Sequence, residues 1–202
     1  MGCHCKSGVA LIFFSYALKT GVDAIQTGKC LKQTKRFDEP VSSCAWALDN
    51  SSFVTGALDK SSGLVQWDLF GQPIYDWIID YRVAELALSP DGRFLVAIDN
   101  VKHIYVYNFL TKDLEYKLDM KVQLTSLSIS RDSKYLLVNQ TNGYAQLIDL
   151  IRRAPVQQYT GHKGGKFTIR STLGGANECF AISGCEGKLA ATDAHCLSLT
   201  GW

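Results

Sequence analysis

A chain of 202 residues with 47% hydrophobic and 20% charged side chains is long enough to bury a core and has the composition of a globular protein. Its 21 basic and 19 acidic side chains leave a formal charge of +2 with no basic run, which argues against nucleic acid or an anionic membrane as a general partner. Seven cysteines at irregular spacing make a poor disulfide framework, so a reducing compartment such as the cytoplasm is expected.

Residues 1–24 carry no repeat and read as a leader. Val9–Leu18 is mostly apolar but too short to span a bilayer, which takes ~20 residues. With Lys6 ahead of it the run imitates a signal peptide, yet a buried strand or an irregular leader is the preferred reading. Gly2, Cys3 and Cys5 imitate an acylated N-terminus, but Lys6 stands where the myristoylation pattern needs Ser or Thr. Cys3-His4-Cys5 lacks the second ligand pair of a zinc site.

From residue 25 to 188 the chain repeats. Thr27–Leu31 reads as the tail of one unit whose earlier part is missing. Three whole units follow. Val41–Asp49, Phe53–Gly56 and Leu64–Leu69 align with Val83–Gly92, Phe94–Ala97 and Ile104–Phe109, and again with Leu124–Asp132, Tyr135–Val138 and Ala145–Leu150. The aromatic that opens the second segment recurs at Phe53, Phe94 and Tyr135, each 41 residues after the last. Alternation such as Leu86, Leu88 or Leu127, Ile129 marks half-buried strands, and Pro90-Asp91-Gly92 and Asn142-Gly143 mark turns. A fourth strand is expected in each unit at Pro73–Ile78, Leu114–Leu118 and Pro155–Tyr159. A period of ~40–45 residues with four strands per unit is that of a propeller blade. Trp46, Leu86, Leu88, Leu127 and Ile129 should be buried between blades, and helix should be nearly absent from 41–160. After Ser183-Gly184 the third strand of the last unit looks deleted, and 189–202 reads as a divergent tail.

Motifs of reactive chemistry are nearly absent from the sequence. Gly161–Phe167 is a near miss for a phosphate loop, with one residue too few between its glycines and Phe167 where a magnesium-binding hydroxyl belongs. Cys179, Cys185 and His195 read better as core cysteines and a tail histidine than as a thiol site. No catalytic residue, metal site or cofactor is expected, and the chain is read as non-enzymatic.

Trp67-Asp68 is the dipeptide that names the WD repeat, Gly161-His162 is the pair preceding a blade's first strand, and Tyr107-Asn108 and Ile148-Asp149 are weakened dipeptides. The chain therefore resembles the WD-repeat family, which implies an all-β fold: an incomplete β-propeller of about three whole four-stranded blades and two partial ones. In that family the Asp and His commonly tie turns within a blade. The stretches Val41–Trp46, Ser130–Gln146 and Gly174–Gly184 resemble more particularly the WD-repeat subunit of CTLH/GID ubiquitin ligases. That resemblance implies a protein-interaction scaffold that supports ligase assembly and recruits substrates for proteasomal degradation, in the cytoplasm and the nucleus. Its partners would be CTLH/GID subunits and their substrates. The helical LisH-CTLH region of that family has no counterpart before Thr27. Another adaptor role for the propeller, or a truncated form without function, is the alternative. Open blade faces would favour self-association.

A partner is expected on the rim where loops after fourth strands meet those between second and third strands. These are Asp80–Arg82, Asp119–Lys121 and Gly161–Lys166, with Asp59–Ser61, Asn100–Lys102 and Thr141-Asn142. Tyr81 and Arg82 are the leading contact residues because Tyr and Arg are enriched among side chains that dominate interfaces. Lys163 and Lys166 would add steering charge.

Overall fold

Apolar residues alternating every second position, broken by Asp, Asn and Gly, fold here into hairpin after hairpin. The computed structural model describes residues 11–16, 19–24, 30–34, 37–160, 169–184 and 191–193. β1 (Leu11–Tyr16), β2 (Lys19–Ala24) and β3 (Cys30–Gln33) make a three-stranded antiparallel sheet. Within the apolar run, Leu11–Tyr16 is paired β-structure.

Three four-stranded sheets follow, each in simple sequential order. The first is β4 (Val41–Trp46), β5 (Ser52–Ala57), β6 (Leu64–Asp68) and β7 (Pro73–Asp76). The second is β8 (Val83–Leu88), β9 (Phe94–Asp99), β10 (His103–Asn108) and β11 (Leu114–Asp119). The third is β12 (Leu124–Ile129), β13 (Tyr135–Gln140), β14 (Ala145–Asp149) and β15 (Ala154–Tyr159). A last, three-stranded sheet holds β16 (Ser171–Gly174), β17 (Phe180–Ser183) and β18 (Ala191–Asp193). β18 pairs Ala191 with Ser183 and Asp193 with Ala181, so the third strand expected to be deleted is present, though short. Among the described residues the only helical element is a 3-10 turn at Ala176–Glu178.

The chain divides into two compact units, one holding β1 to β9 with residues 105–116, the other residues 89–91, 100–104 and the chain from 117 onward. In the first unit the second strands β5 and β9 are buried at every position. Successive side chains of a strand point to opposite faces, and β5 serves two cores at once. Val54 joins Leu64, Trp77, Val83, Leu86, Leu95 and Tyr107, while Phe53 and Ala57 join Phe37, Val65 and Trp67. Gly56 shares the Val54 face, where an added Cβ would come within 2.6 Å of Val83 Cγ1 and 2.9 Å of Leu86 Cδ2. The smaller core of the second unit gathers Leu137, Ala145, Leu147 and Tyr159 against Leu173 and Ala181.

First strands are less buried than their alternation implies. Leu86 and Leu127 are buried, but Trp46, Leu88 and Ile129 are only half-buried. All three are the last residue of their strand, beside the turn. Trp46 packs edge-on against Phe53 there, with ring centroids 5.9 Å apart.

Polar contacts add to apolar packing in coupling one sheet to the next. β4, β8 and β12 each carry a bulge one residue into the strand, between Val41 and Ser43, Val83 and Glu85, and Leu124 and Ser126. In the first unit the hydroxyl of Ser42, at the bulge, donates to Val83 O at 2.6 Å, with Gly56 O also in reach at 3.0 Å. Ser43 Oγ accepts the N–H of Leu86 at 2.8 Å. The second unit repeats the arrangement, Thr125 Oγ1 donating to Ile169 O at 3.3 Å and Ser126 Oγ accepting from Ser171 N at 3.4 Å. A buried N–H left without its acceptor costs about 1–3 kcal/mol. Ser43→Ala should therefore lower unfolding stability by that amount in urea titration, with the Leu86 amide exchanging faster. An unchanged midpoint and unchanged Leu86 exchange would show that the hydroxyl does not couple the sheets.

Candidate interaction surface

The dipeptide positions are architectural. Asp68 Oδ1 accepts the N–H groups of Phe70 and Gln72, both at 2.8 Å. Asn108 Oδ1 accepts those of Leu110 at 3.0 Å and Thr111 at 3.2 Å, and Asp149 Oδ1 those of Ile151 at 2.8 Å and Arg152 at 2.7 Å. Each closes the turn from third to fourth strand, and each turn passes through the left-handed region before the fourth strand: at Gly71 (φ 78) in the shorter first turn, and at Lys112 (φ 70) and Arg153 (φ 60) in the other two. Trp67 is buried, and its indole N–H donates to Thr55 Oγ1 at 2.8 Å. The same turns push one large apolar side chain into solvent at each repeat: Phe70, Leu110 and Ile151 are 71%, 80% and 55% exposed. Sequence reading passed over them, although an apolar residue two places beyond each Asp or Asn was visible. Single exposed apolar side chains are ordinary on a protein surface and do not by themselves mark a contact.

On the expected rim the loops behave differently in each unit. In the second unit the structure brings Asn100–Lys102, Asp119–Lys121 and Thr141-Asn142 together. Met120 N donates to Lys102 O at 2.8 Å, Gln123 Nε2 to Asn100 O at 2.9 Å and Thr141 N to Gln123 O at 2.9 Å, and Lys102 pairs with Asp119 at 3.1 Å. A groove of about 530 Å³ opens beside them, lined by Asp119, Met120 and Lys121, by Asn142 and Tyr144, and by Arg153 and Gln158 on the outer hairpin. Its mixture of charged, amide, aromatic and aliphatic groups suits a peptide segment rather than a small apolar ligand.

In the first unit Asp59 is buried and holds its own loop, accepting the N–H and the hydroxyl of Ser61, each at 2.8 Å. The Ser61 N–H is the main reason its carboxyl lies below the ordinary carboxylate range. Tyr81 does not project from the rim. It is 8% exposed, stacks face to face on Tyr105 at 3.6 Å between centroids and 4° between planes, and shares a 2.8 Å hydrogen bond with the Tyr107 hydroxyl. A loop tyrosine was expected to face solvent. Alternation from Trp77 through Ile79 to Tyr81 carries it into the core instead. Arg82, its neighbour, is exposed. Lys163 and Lys166 lie outside the described residues, as do Cys3-His4-Cys5, Gly161–Phe167, Cys185 and His195. Among the described residues no three His, Cys, Asp or Glu side chains are placed to hold a metal ion, and no helix is long and apolar enough to cross a membrane.

Four-stranded sheets repeated every 41 residues, with an aspartate or asparagine closing the outer hairpin of each, define the WD-repeat β-propeller class, and the chain belongs to it. Within that class it is 35% identical over 167 residues to GID complex subunit 7 of Schizosaccharomyces pombe, a match covering 79% of this chain and 32% of that protein. It is 37% identical over 150 residues to a WD repeat-containing protein WDS homolog of Arabidopsis thaliana, covering 72% of this chain and 28% of that one. A WD repeat-containing protein 26 homolog from the same plant is 32% identical over 168 residues. The chain thus spans about a third or less of the length of these relatives. No family model matches. Among solved structures, the β-propeller domain of Cps50 (Swd1) from Myceliophteria thermophila superposes with a TM-score of 0.74 at 13% identity, over 94% of this chain and 66% of that one, a likeness of fold.

The Tyr81–Tyr107 pair gives the fold an alkaline limit. Burial, reinforced for Tyr81 by Tyr107 beside it, holds the Tyr81 phenol well above the ordinary phenol range, and burial pushes Tyr107 up to about 12. Phenols raised in the folded state stay neutral after those of the unfolded chain ionise near 10. Their contribution is therefore complete below pH ~10 and lost as pH rises toward ~12. Replacing both by Phe removes donor and acceptor together, which is nearly neutral for a buried pair. Urea titrations from pH 8 to 12 should show the wild-type midpoint falling above pH ~10 more steeply than that of Tyr81→Phe/Tyr107→Phe. Parallel curves would remove this pair as the cause.

Proposed function

We propose that the chain is a non-enzymatic scaffold segment of a CTLH/GID-type ubiquitin ligase, contributing to assembly of the complex and to recruitment of substrates for degradation. The observation that carries this reading is the 35% identity to GID complex subunit 7 across 79% of the chain. The groove beside Asp119–Lys121, with charged, amide and aromatic side chains along it, supports the reading by offering surface for protein contact. Arg82, exposed in the first unit, is the proposed anchor there, and Lys163 and Lys166 are proposed as steering charges on the strength of their charge alone. Tyr81 drops out because its ring and hydroxyl are both engaged inside the fold.

The test is affinity isolation of the tagged chain from its native cells with mass spectrometry of what accompanies it. Ligase subunits should be enriched, and Tyr144→Ala together with Arg153→Ala should reduce their recovery several-fold while leaving the thermal transition in place. Recovery of a different complex would make the chain a WD-repeat adaptor elsewhere.

A further inference from the structure

The turn closed by Asn108 folds a cation into an aromatic cage. Lys112 takes the left-handed position of that turn, and its carbonyl receives the indole N–H of Trp77 at 3.1 Å. Its ammonium then lies 3.9 Å from the ring centre of Phe109, 5.2 Å from that of Trp77 and 5.9 Å from that of Tyr75. It donates to Gln66 Oε1 at 2.6 Å, and Gln66 is itself buried and fixed by a bond from Nε2 to Ser52 Oγ at 2.9 Å. Trp77 and Phe109 are nearly parallel, with 21° between planes, and Tyr75 meets Trp77 edge-on at 4.9 Å. No carboxylate pairs with this ammonium among the described residues. Burial alone, unopposed by an anion, lowers its pKa.

Three ring faces and one fixed amide oxygen are recognition chemistry for an ammonium, chosen over a salt bridge. An anion-paired site prefers a fully hydrated, compact charge. A ring-walled site gains as N–H groups are replaced by methyls, because the charge is kept, the hydration to be removed falls and the contact with the rings grows. We propose that Gln66, Tyr75, Trp77 and Phe109 form a binding site for an alkylammonium, occupied in cis by Lys112, and that its ligand class when Lys112 leaves is a mono- or dimethylated lysine side chain of a partner protein. The single amide acceptor sets that preference, since one N–H must remain to meet Gln66 Oε1. Tyr75, 40% exposed, is the wall through which exchange takes place.

The experiment empties the cage in the whole chain. Lys112→Gly suits the backbone, because Lys112 itself sits at φ 70, a conformation glycine adopts without strain. Lys112→Asn serves if the glycine variant does not fold. The probe is N,N-dimethylbutylammonium at neutral pH, followed through the Trp77 indole N–H resonance. The emptied variant should bind it at least about tenfold more tightly than the wild type does, and about tenfold more tightly than neutral isohexanol. Adding Tyr75→Ala should weaken the binding several-fold. A folded variant whose Trp77 resonance ignores the ammonium, or responds equally to isohexanol, would overturn the site. Equal binding by the wild type would overturn Lys112 as its occupant.

Discussion

One side-chain oxygen holding two backbone N–H groups recurs at Asp68, Asn108 and Asp149, and much of the outer sheet is arranged around it. The turn it closes brings the fourth strand back along the third. It also requires a residue with positive φ at its far side, a conformation that costs most side chains about 1–2 kcal/mol. Glycine at position 71 accepts it without strain. Lys112 and Arg153 adopt it against their intrinsic preference, so something must compensate. For Lys112 the compensation is on view: an amide oxygen, three rings and an indole N–H engage one residue from both its ends. Arg153 is among the residues lining the groove beside Asp119–Lys121. The position that the turn strains is thus the position from which a side chain reaches across its neighbourhood.

Lateral cohesion depends on a second polar device. A β-bulge turns two consecutive hydroxyl residues outward from the first strand, so that one donates to a carbonyl of the following sheet and the other accepts from its amide. Apolar packing between sheets is non-directional and tolerates sliding. A donor and an acceptor on adjacent residues do not, because a shift of one residue breaks both. Register between neighbouring blades is set at Ser42–Ser43 and at Thr125–Ser126, while Val54, Leu86 and their neighbours supply the bulk of the favourable burial.

The sheets were legible from the 41-residue recurrence because period and turn chemistry are local properties of sequence. Phe53, Phe94, Pro90-Asp91-Gly92 and Asn142-Gly143 each announce an element by residue type alone. β18 was not legible: Ala191–Asp193 carries no aromatic, no β-branched run and no dipeptide, and it is placed by pairing with β17 rather than by propensity. The hydroxyl clamps were also invisible. Serine in a strand reads as a solvent-side residue until the bulge that redirects it is known.

Tyr81 shows why the surface was harder to read than the core. Its loop position argued for exposure, and only the parity of Trp77, Ile79 and Tyr81 argued for burial. Parity prevails over loop position wherever a connecting segment remains extended, since an extended chain continues to alternate faces whether or not it hydrogen-bonds as a strand. The same parity leaves Arg82 and Ile78 outward, and Ile78 is fully exposed. Contact residues in this connection should therefore be sought at even-numbered positions, where side chains leave the core. Odd ones are committed to the core shared by β5, β6, β8 and β9.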